Sequence, residues 1–291
     1  MLFALAFTIS VAINAQLQKS FAVSDNQEFD RVKFSLNATH GQCFIEPSLE
    51  SHLMDIWSDA SGAGTPRYKE QIVNRTKQVE VHLTDDENSA FGASFSSRML
   101  SLRPPDEYTW KVYLPKLKPL DLDLNYAVGD SYIDLSDLPI QKLRMRSGSA
   151  HVKVNYNKGM GNKIEMDTFL IKVDLGTFEA KNLHLCNSSN IITDVGFGRV
   201  KMDFGDADDV KTDVKATVGA GRLEILLPGK DVPVKININD SPLCHIKIPK
   251  EFKKTGDHVF VSPDFNENEA CQMNFTVDVA VGNIVFKSAG P

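Results

Sequence analysis

From about Phe29 onward the chain alternates apolar and polar residues, the two-residue period of a half-buried β-strand. In DLDLNYAV, Leu122, Leu124, Tyr126 and Val128 fall on one face, with Asp121, Asp123 and Asn125 on the other. FTVDVAV repeats this with Phe275, Val277, Val279 and Val281 in one row. The helical period is almost absent. The best helical candidate is SLESHLMDIW, where Leu49, Leu53, Ile56 and Trp57 would form a short apolar stripe.

A glycine interrupts the alternation again and again. LNATHGQCFIE (Gly41), NYAVGDSYIDL (Gly129), MRSGSAHVKV (Gly148), KVDLGTFEA (Gly176), VGFGRVKMDF (Gly198), VGAGRLEILL (Gly221) and VAVGNIVFK (Gly282) read as copies of one motif. Five and three residues before the glycine the side chains are mostly apolar, as in Ala216 and Val218; two and four after it they are apolar again, as in Leu223 and Ile225. Inward positions fall one before and two after the glycine, three residues apart, which puts His40, Leu175 and Phe197 on the core side. A flat strand permits only even separations on one face, so the backbone must turn at the glycine. From Gly129 to Gly221 the intervals are 19, 28, 22 and 23 residues. Recurrence at this period predicts an all-β fold: a β-solenoid-like stack of strand, glycine corner and strand units, or a repeated β-sandwich. One domain over residues 16–291 is expected, with irregular segments near 58–76 and 241–271 and a further strand in LPGKDVPVKININD.

Composition narrows the setting. The first fifteen residues, MLFALAFTISVAINA, read as a secretory signal cleaved after Ala15, although no Lys or Arg precedes the apolar core. This run is shorter than a bilayer span and no later run approaches one, so an exported chain without a transmembrane segment is expected in the periplasm, on the surface or in the medium. A net charge of −6, with no basic run beyond KEFKK (250–254), excludes nucleic acid as a partner class. Cys43, Cys186, Cys244 and Cys271 lack the paired spacing of a zinc site. Export permits disulfides, and Cys244 with Cys271 is the pair to test; four buried thiols is the other reading.

The series DLDLNYAVGDSYIDLSDLPIQKLRMRSGSAHVKVNY, VGFGRVKMDFGD, VKATVGAGRLEILLPGKDVPVKIN and MNFTVDVAVGNIVFK resembles the toast-rack and LiaF-like cell-envelope domains, from about Leu114 to Lys287, with an echo around Gly41. The resemblance implies a noncatalytic, β-solenoid-like, envelope-associated bacterial protein, and LiaF-like relatives act in cell-envelope stress signalling. It implies no catalytic or binding residue.

Candidate chemistry is sparse. In VGAGRLEILLP, Glu224 stands where a dinucleotide fingerprint needs its third glycine, and the alternation of Leu223, Ile225 and Leu227 is a strand rather than a phosphate-capping helix. Asp203, Asp206, Asp208 and Asp209, around GDADD, supply carboxylates for calcium, yet no closing glutamate follows and aspartate is an ordinary turn residue; calcium and a solvated turn both stay open. No other cofactor is indicated. Asp121, Asp123, Asp130, Asp134 and Asp137 are numerous enough for a glycosidase pair, but Asp121 and Asp123 fall on an outward strand face. Trp57 and Trp110 suit sugar stacking or core packing. Ser147 and Ser149 lack a nucleophile elbow. Asn-x-Ser/Thr sites at Asn37, Asn74, Asn187, Asn239 and Asn274 matter only in a eukaryotic secretory pathway. The expectation is a noncatalytic envelope or surface scaffold that binds another macromolecule, protein or glycan. The alternatives are a carbohydrate-active or carbohydrate-binding solenoid and a calcium-stabilised adhesin.

Overall fold

A computed structural model describes residues 17–24, 26–50, 53–59, 67–83, 109–205, 207, 211–240, 242–263, 265–266 and 272–289. The leader reading of residues 1–15 lies outside them. The described strands join one hydrogen-bonded sheet of 17 strands.

Its geometry follows from chain length. Strand β10 (Thr168–Lys181) has 14 residues and, if straight, would run about 46 Å. It pairs in parallel with β11 (Asn190–Asp203), Phe169 opposite Ile191, so only Asn182 to Ser189 carry the chain back to the start of the next strand. Eight residues reach at most ~28 Å, so the strand must fold back on itself between its two arms. The same holds along the run β8 (Leu120–Asp134), β9 (Ile140–Asn155), β10, β11 and β12 (Thr212–Leu226), each parallel to the next and in matching register. Each turn therefore has three sides: two strand arms and a return segment. Apolar residues of both arms fill the interior with Tyr156, Met166, Leu183, Cys186, Phe204 and Leu227 from the return segments, all buried. This is the expected solenoid-like stack, and not a sandwich of two separate sheets.

At the corner a column of small residues runs through the stack: Gly129, Ala150, Gly176, Gly198, Gly221 and Gly282 pair rung by rung. Gly41 heads it, because Gln42 pairs with Asp130 and a Cβ on Gly129 would strike the Gly41 carbonyl. Gly221 has φ 152°, and a Cβ there would lie 2.0 Å from the Gly198 oxygen, so both conformation and space demand glycine. The expected pattern in β12 holds: Ala216, Val218, Leu223 and Ile225 are buried, Arg222 is exposed and Glu224 half-buried.

Two details correct the sequence reading. Gly148 is not a corner glycine: it stacks beside Ala127, two residues before the corner, and Ala150 occupies the column. With Ala150 in place the intervals become 21, 26, 22 and 23 residues, more even than expected. The residue before the corner also does not point inward. Inward positions are three before and two after, five apart, with four residues wrapping the outside of the bend. An odd separation is kept, so the phase argument survives while the facing of one row reverses. His40 sits in this row, half-buried rather than in the core, with Nδ1 3.1 Å from Thr39 Oγ1.

The ends of the stack depart from chain order. The rung β2 (Arg31–Ala38) and β3 (Gln42–Pro47) lies between β8 and the rung of β6 (Thr76–Leu83) and β7 (Thr109–Leu114). Beyond that rung, β5 (Arg67–Val73) pairs antiparallel with β6, β4 (Leu53–Asp59) with β7 and β1 (Leu17–Ser24) with β4. Leu53 to Trp57 of the expected helix are instead in strand β4, with Met54 and Ile56 buried and Trp57 half-buried, while residues 51 and 52 lie outside the described residues; cross-strand burial of alternate residues outweighs a short helical stripe. At the other end β17 (Met273–Lys287) is inserted between β12 and the rung of β13 (Val234–Asp240) and β14 (Cys244–Lys247). Antiparallel β16 (Val259–Val261) and β15 (Lys253–Gly256) follow on β13. Segments expected to be irregular thus supply β5, β14, β15 and β16, which become strands because they cover open ladder edges. Of the edge strands, β5 and β15 are exposed throughout and carry Arg67, Lys69, Glu70, Lys253 and Lys254, charges that discourage further edge pairing.

Candidate functional site

With the inward rows fixed, the outward rows present the chemistry. On the first arms, Asp121 and Asp123 of β8 are in register with Lys142 and Arg144 of β9. Asp121 also lies 3.6 Å from Arg31, and Asp123 accepts from Asn125 Nδ2 at 3.4 Å. These carboxylates are compensated across strands. Asp137 is elsewhere, in a return turn at φ 57°, ion-paired to Lys163 at 3.1 Å and Lys116 at 3.6 Å. The five aspartates considered together in the sequence are thus spread over separate places.

On the second arms the outward row three residues past the corner reads Lys111, Phe44, Tyr132, Lys153, Glu179, Lys201 and Glu224 through successive rungs. Phe44 and Tyr132 stack at 5.1 Å and 12° between planes. Lys111 Nζ stands 5.9 Å from the Phe44 centroid and Lys153 Nζ 5.3 Å from that of Tyr132, so each ring carries a cation. At the far edge of this face an open depression of about 360 Å³ is lined by Glu46, Tyr132, Asp134, Lys153, Glu179 and Lys181, among others. Asp134 is fixed in place: Oδ1 accepts from Ser136 N and Oδ2 from Asn157 Nδ2, both at 2.9 Å. The depression offers carboxylates, two ammonium groups and an aromatic floor, an inventory that can hydrogen-bond polar groups and carry a flat ring face. Further along the row, Glu224 is bridged by Lys287 at 2.5 Å and Arg222 at 3.2 Å, and the Lys287 hydrogen bond first, then Arg222, holds its carboxyl below the usual range.

Other candidates are placed as follows. Trp110 is buried on β7, so it belongs to the core and not to a sugar platform. Ser147 is buried in the core row and Ser149 half-buried at the bend. Asp203 accepts from Gly205 N at 2.9 Å, as an aspartate opening a turn does; Asp206, Asp208 and Asp209 lie outside the described residues. Cys244 donates to the Val279 carbonyl at 3.4 Å, and its expected partner Cys271 is outside the described residues. Burial pushes the Cys43 and Cys186 thiols up to about 12.

Sequence reasoning missed two features. The depression joins residues of β3, β8, β9 and β10 that only the register brings together. The second is an exposed apolar ridge along the outside of the bend: Leu175, Phe197 and Val281 are 48%, 63% and 44% exposed, each just before its corner glycine. Leu243, just before β14, whose carbonyl accepts from Gly282 N at 3.4 Å, continues the ridge at 66%. The sequence shows these positions to be apolar, and the phase argument points them inward; the structure turns them out.

Comparison with known proteins adds a family. Three solved structures align with the chain at low identity. A proposed cell adhesion protein of Clostridium sporogenes aligns over 94% of this chain and all of its own, with 14% identity and TM-score 0.43. A proposed adhesin of Bacteroides fragilis covers 94% and 97% at 11% identity and 0.37. A proposed adhesin of Parabacteroides distasonis covers 94% and 96% at 12% identity and 0.29. At these values the alignments carry no functional information. No curated protein matches the sequence. The profile described as the N-terminal domain of toast_rack, DUF2154, matches residues 10–176, more than half the chain. This stretch starts well before the region that carries the sequence resemblance and overlaps it only from Leu114, yet it names the same group. The chain belongs to the toast-rack family.

Proposed function

We propose that this protein is a noncatalytic scaffold, exported to the cell envelope or surface, that holds another macromolecule, protein or glycan, on the outer face of its second arms. The open depression beside Tyr132, the ring that stacks on Phe44, is the observation that supports this reading. Lys153 stands in register with Glu179, and Asp134 and Lys181 flank Asn155 in the next outward row, so both signs of charge are spread over three rungs, an arrangement that suits a broad polar contact. Cross-linking from intact cells, with the purified chain as bait, is expected to recover envelope or surface components, and Lys153→Glu with Lys181→Glu is expected to deplete them. Recovery of soluble cytosolic proteins alone would sink the proposal.

Glu46, Asp134 and Glu179 around one aromatic floor favour a second reading, a glycan-binding or glycan-cleaving face. A glycan array followed by incubation with each bound sugar separates the two. Binding lost in Tyr132→Ala without product formation supports a lectin-like face, and product formation lost in Glu179→Gln supports cleavage.

A further inference from the structure

The ridge on the bend is not part of the depression. Of the eleven large apolar side chains exposed among the described residues, Leu175, Phe197 and Val281 fall in one row on β10, β11 and β17, and Leu243, the residue before β14, adjoins it, its carbonyl accepting from Gly282 N at 3.4 Å. Ala220 of β12 fills the place between Phe197 and Val281. Rungs about 4.8 Å apart make this a straight apolar edge about 19 Å long. On one side the next outward residues include Gly196, Gly219 and Ala280, which raise no shoulder, so the edge stands proud. On the other side, one residue past the glycine column, come Thr177, Arg199, Arg222, Asn283 and His245, a row with two arginines and no acid. Arg199, Arg222 and His245 are exposed. Asp174 is the acid nearest the ridge in these rungs, and Lys172 lies 4.0 Å from it.

We propose that this ridge docks onto an anionic lipid bilayer surface, the four apolar side chains entering the interface and Arg199 and Arg222 meeting the lipid phosphates. Shape and area argue for this occupant. A convex edge one side chain wide encloses no ligand and needs a medium that yields around it. As a strip of on the order of 200 Å² it falls well short of the ~800 Å² per partner that holds a stable protein pair. Apolar side chains beside cations are what interfacial lipid binding uses, apolar burial adding to attraction by anionic headgroups. Insertion needs no transmembrane helix, and no helix among the described residues is long and apolar enough to cross a membrane. The inference stands apart from the depression and does not need it to bind anything.

Flotation of the purified chain with vesicles of phosphatidylcholine, with and without phosphatidylglycerol, tests it. The chain is expected to float with the anionic vesicles, less with the neutral ones, and less as salt is raised. Phe197→Ser with Leu243→Ser is expected to lower the bound fraction about tenfold. Arg199→Gln with Arg222→Gln, which leaves the apolar edge and core untouched, should remove the preference for anionic vesicles. Tyr68→Ser with Ile72→Ser, exposed residues on β5, should float as the parent does. No flotation with either vesicle overturns the proposal, as does equal loss in the β5 control. It is also overturned if sedimentation shows concentration-dependent self-association that Phe197→Ser with Leu243→Ser abolishes while vesicles bind nothing, since the ridge would then serve a second copy.

Discussion

Gly221 is constrained twice, by φ and by the Gly198 oxygen 2.0 Å from where a Cβ would stand. Gly221→Ala is therefore expected to cost roughly 2–4 kcal/mol in urea unfolding, far beyond a propensity effect. Ala150 occupies the same column without a positive φ, so Ala150→Gly should cost no more than about 1 kcal/mol. The pair of measurements distinguishes a conformational corner from mere close packing. Thiols tell a parallel story: burial raises Cys43 and Cys186 to about 12, so neither should react with a disulfide reagent at neutral pH until denaturant is added. Glu224 gives a pH signature. Its folded pKa is depressed, first by the Lys287 hydrogen bond, so its contribution is complete above the ordinary carboxylate pKa and is lost as pH falls through the folded value. Lys287→Met should flatten the acid limb of Tm against pH below about 5, and an unchanged limb would show the bridge to be idle.

At the scale of the element, the ladder makes neighbours of residues far apart in sequence. Asp123→Lys would face Arg144 in register and is expected to lower stability by about 0.5–1 kcal/mol, recovered by Arg144→Glu in the same chain. Asn162 does for a return segment what a strand does for an arm: its amide accepts from Ile140 N and donates to Ile140 O and Ile164 O, each at 2.7 Å. Asn162→Ala should cost about 2–3 kcal/mol in thermal or urea melts, because buried backbone groups lose their partner. Alternation made β8 to β12 and β17 legible, because burial of every second residue is written directly in side-chain polarity. Gly148 misled because it lies two residues from a corner held by Ala150, and periodicity alone cannot say which small residue bends. Leu175 and Phe197 were placed inside because an odd step of three and an odd step of five satisfy the same parity. The depression was not legible at all: Glu46 and Glu179, three rungs apart, come to line one hollow only through pairing register, which no local pattern encodes.

For the whole molecule, the stack is nearly one-dimensional, so each rung relies on its two neighbours and the antiparallel strands close the ends. Rung order is not chain order, however. β13 is not laid on β12; β17, read out later, lies between them. During synthesis the growing chain can add β9 to β12 one after another, each on a finished surface. β13 then has no seat. It and the capping hairpin must wait until residue 287 has emerged, with the apolar face of β12 open to other chains meanwhile. A construction schedule is thus written into the topology: the segment from 234 to 261 is made early and installed last, and the interval between is when the chain most needs protection from its neighbours.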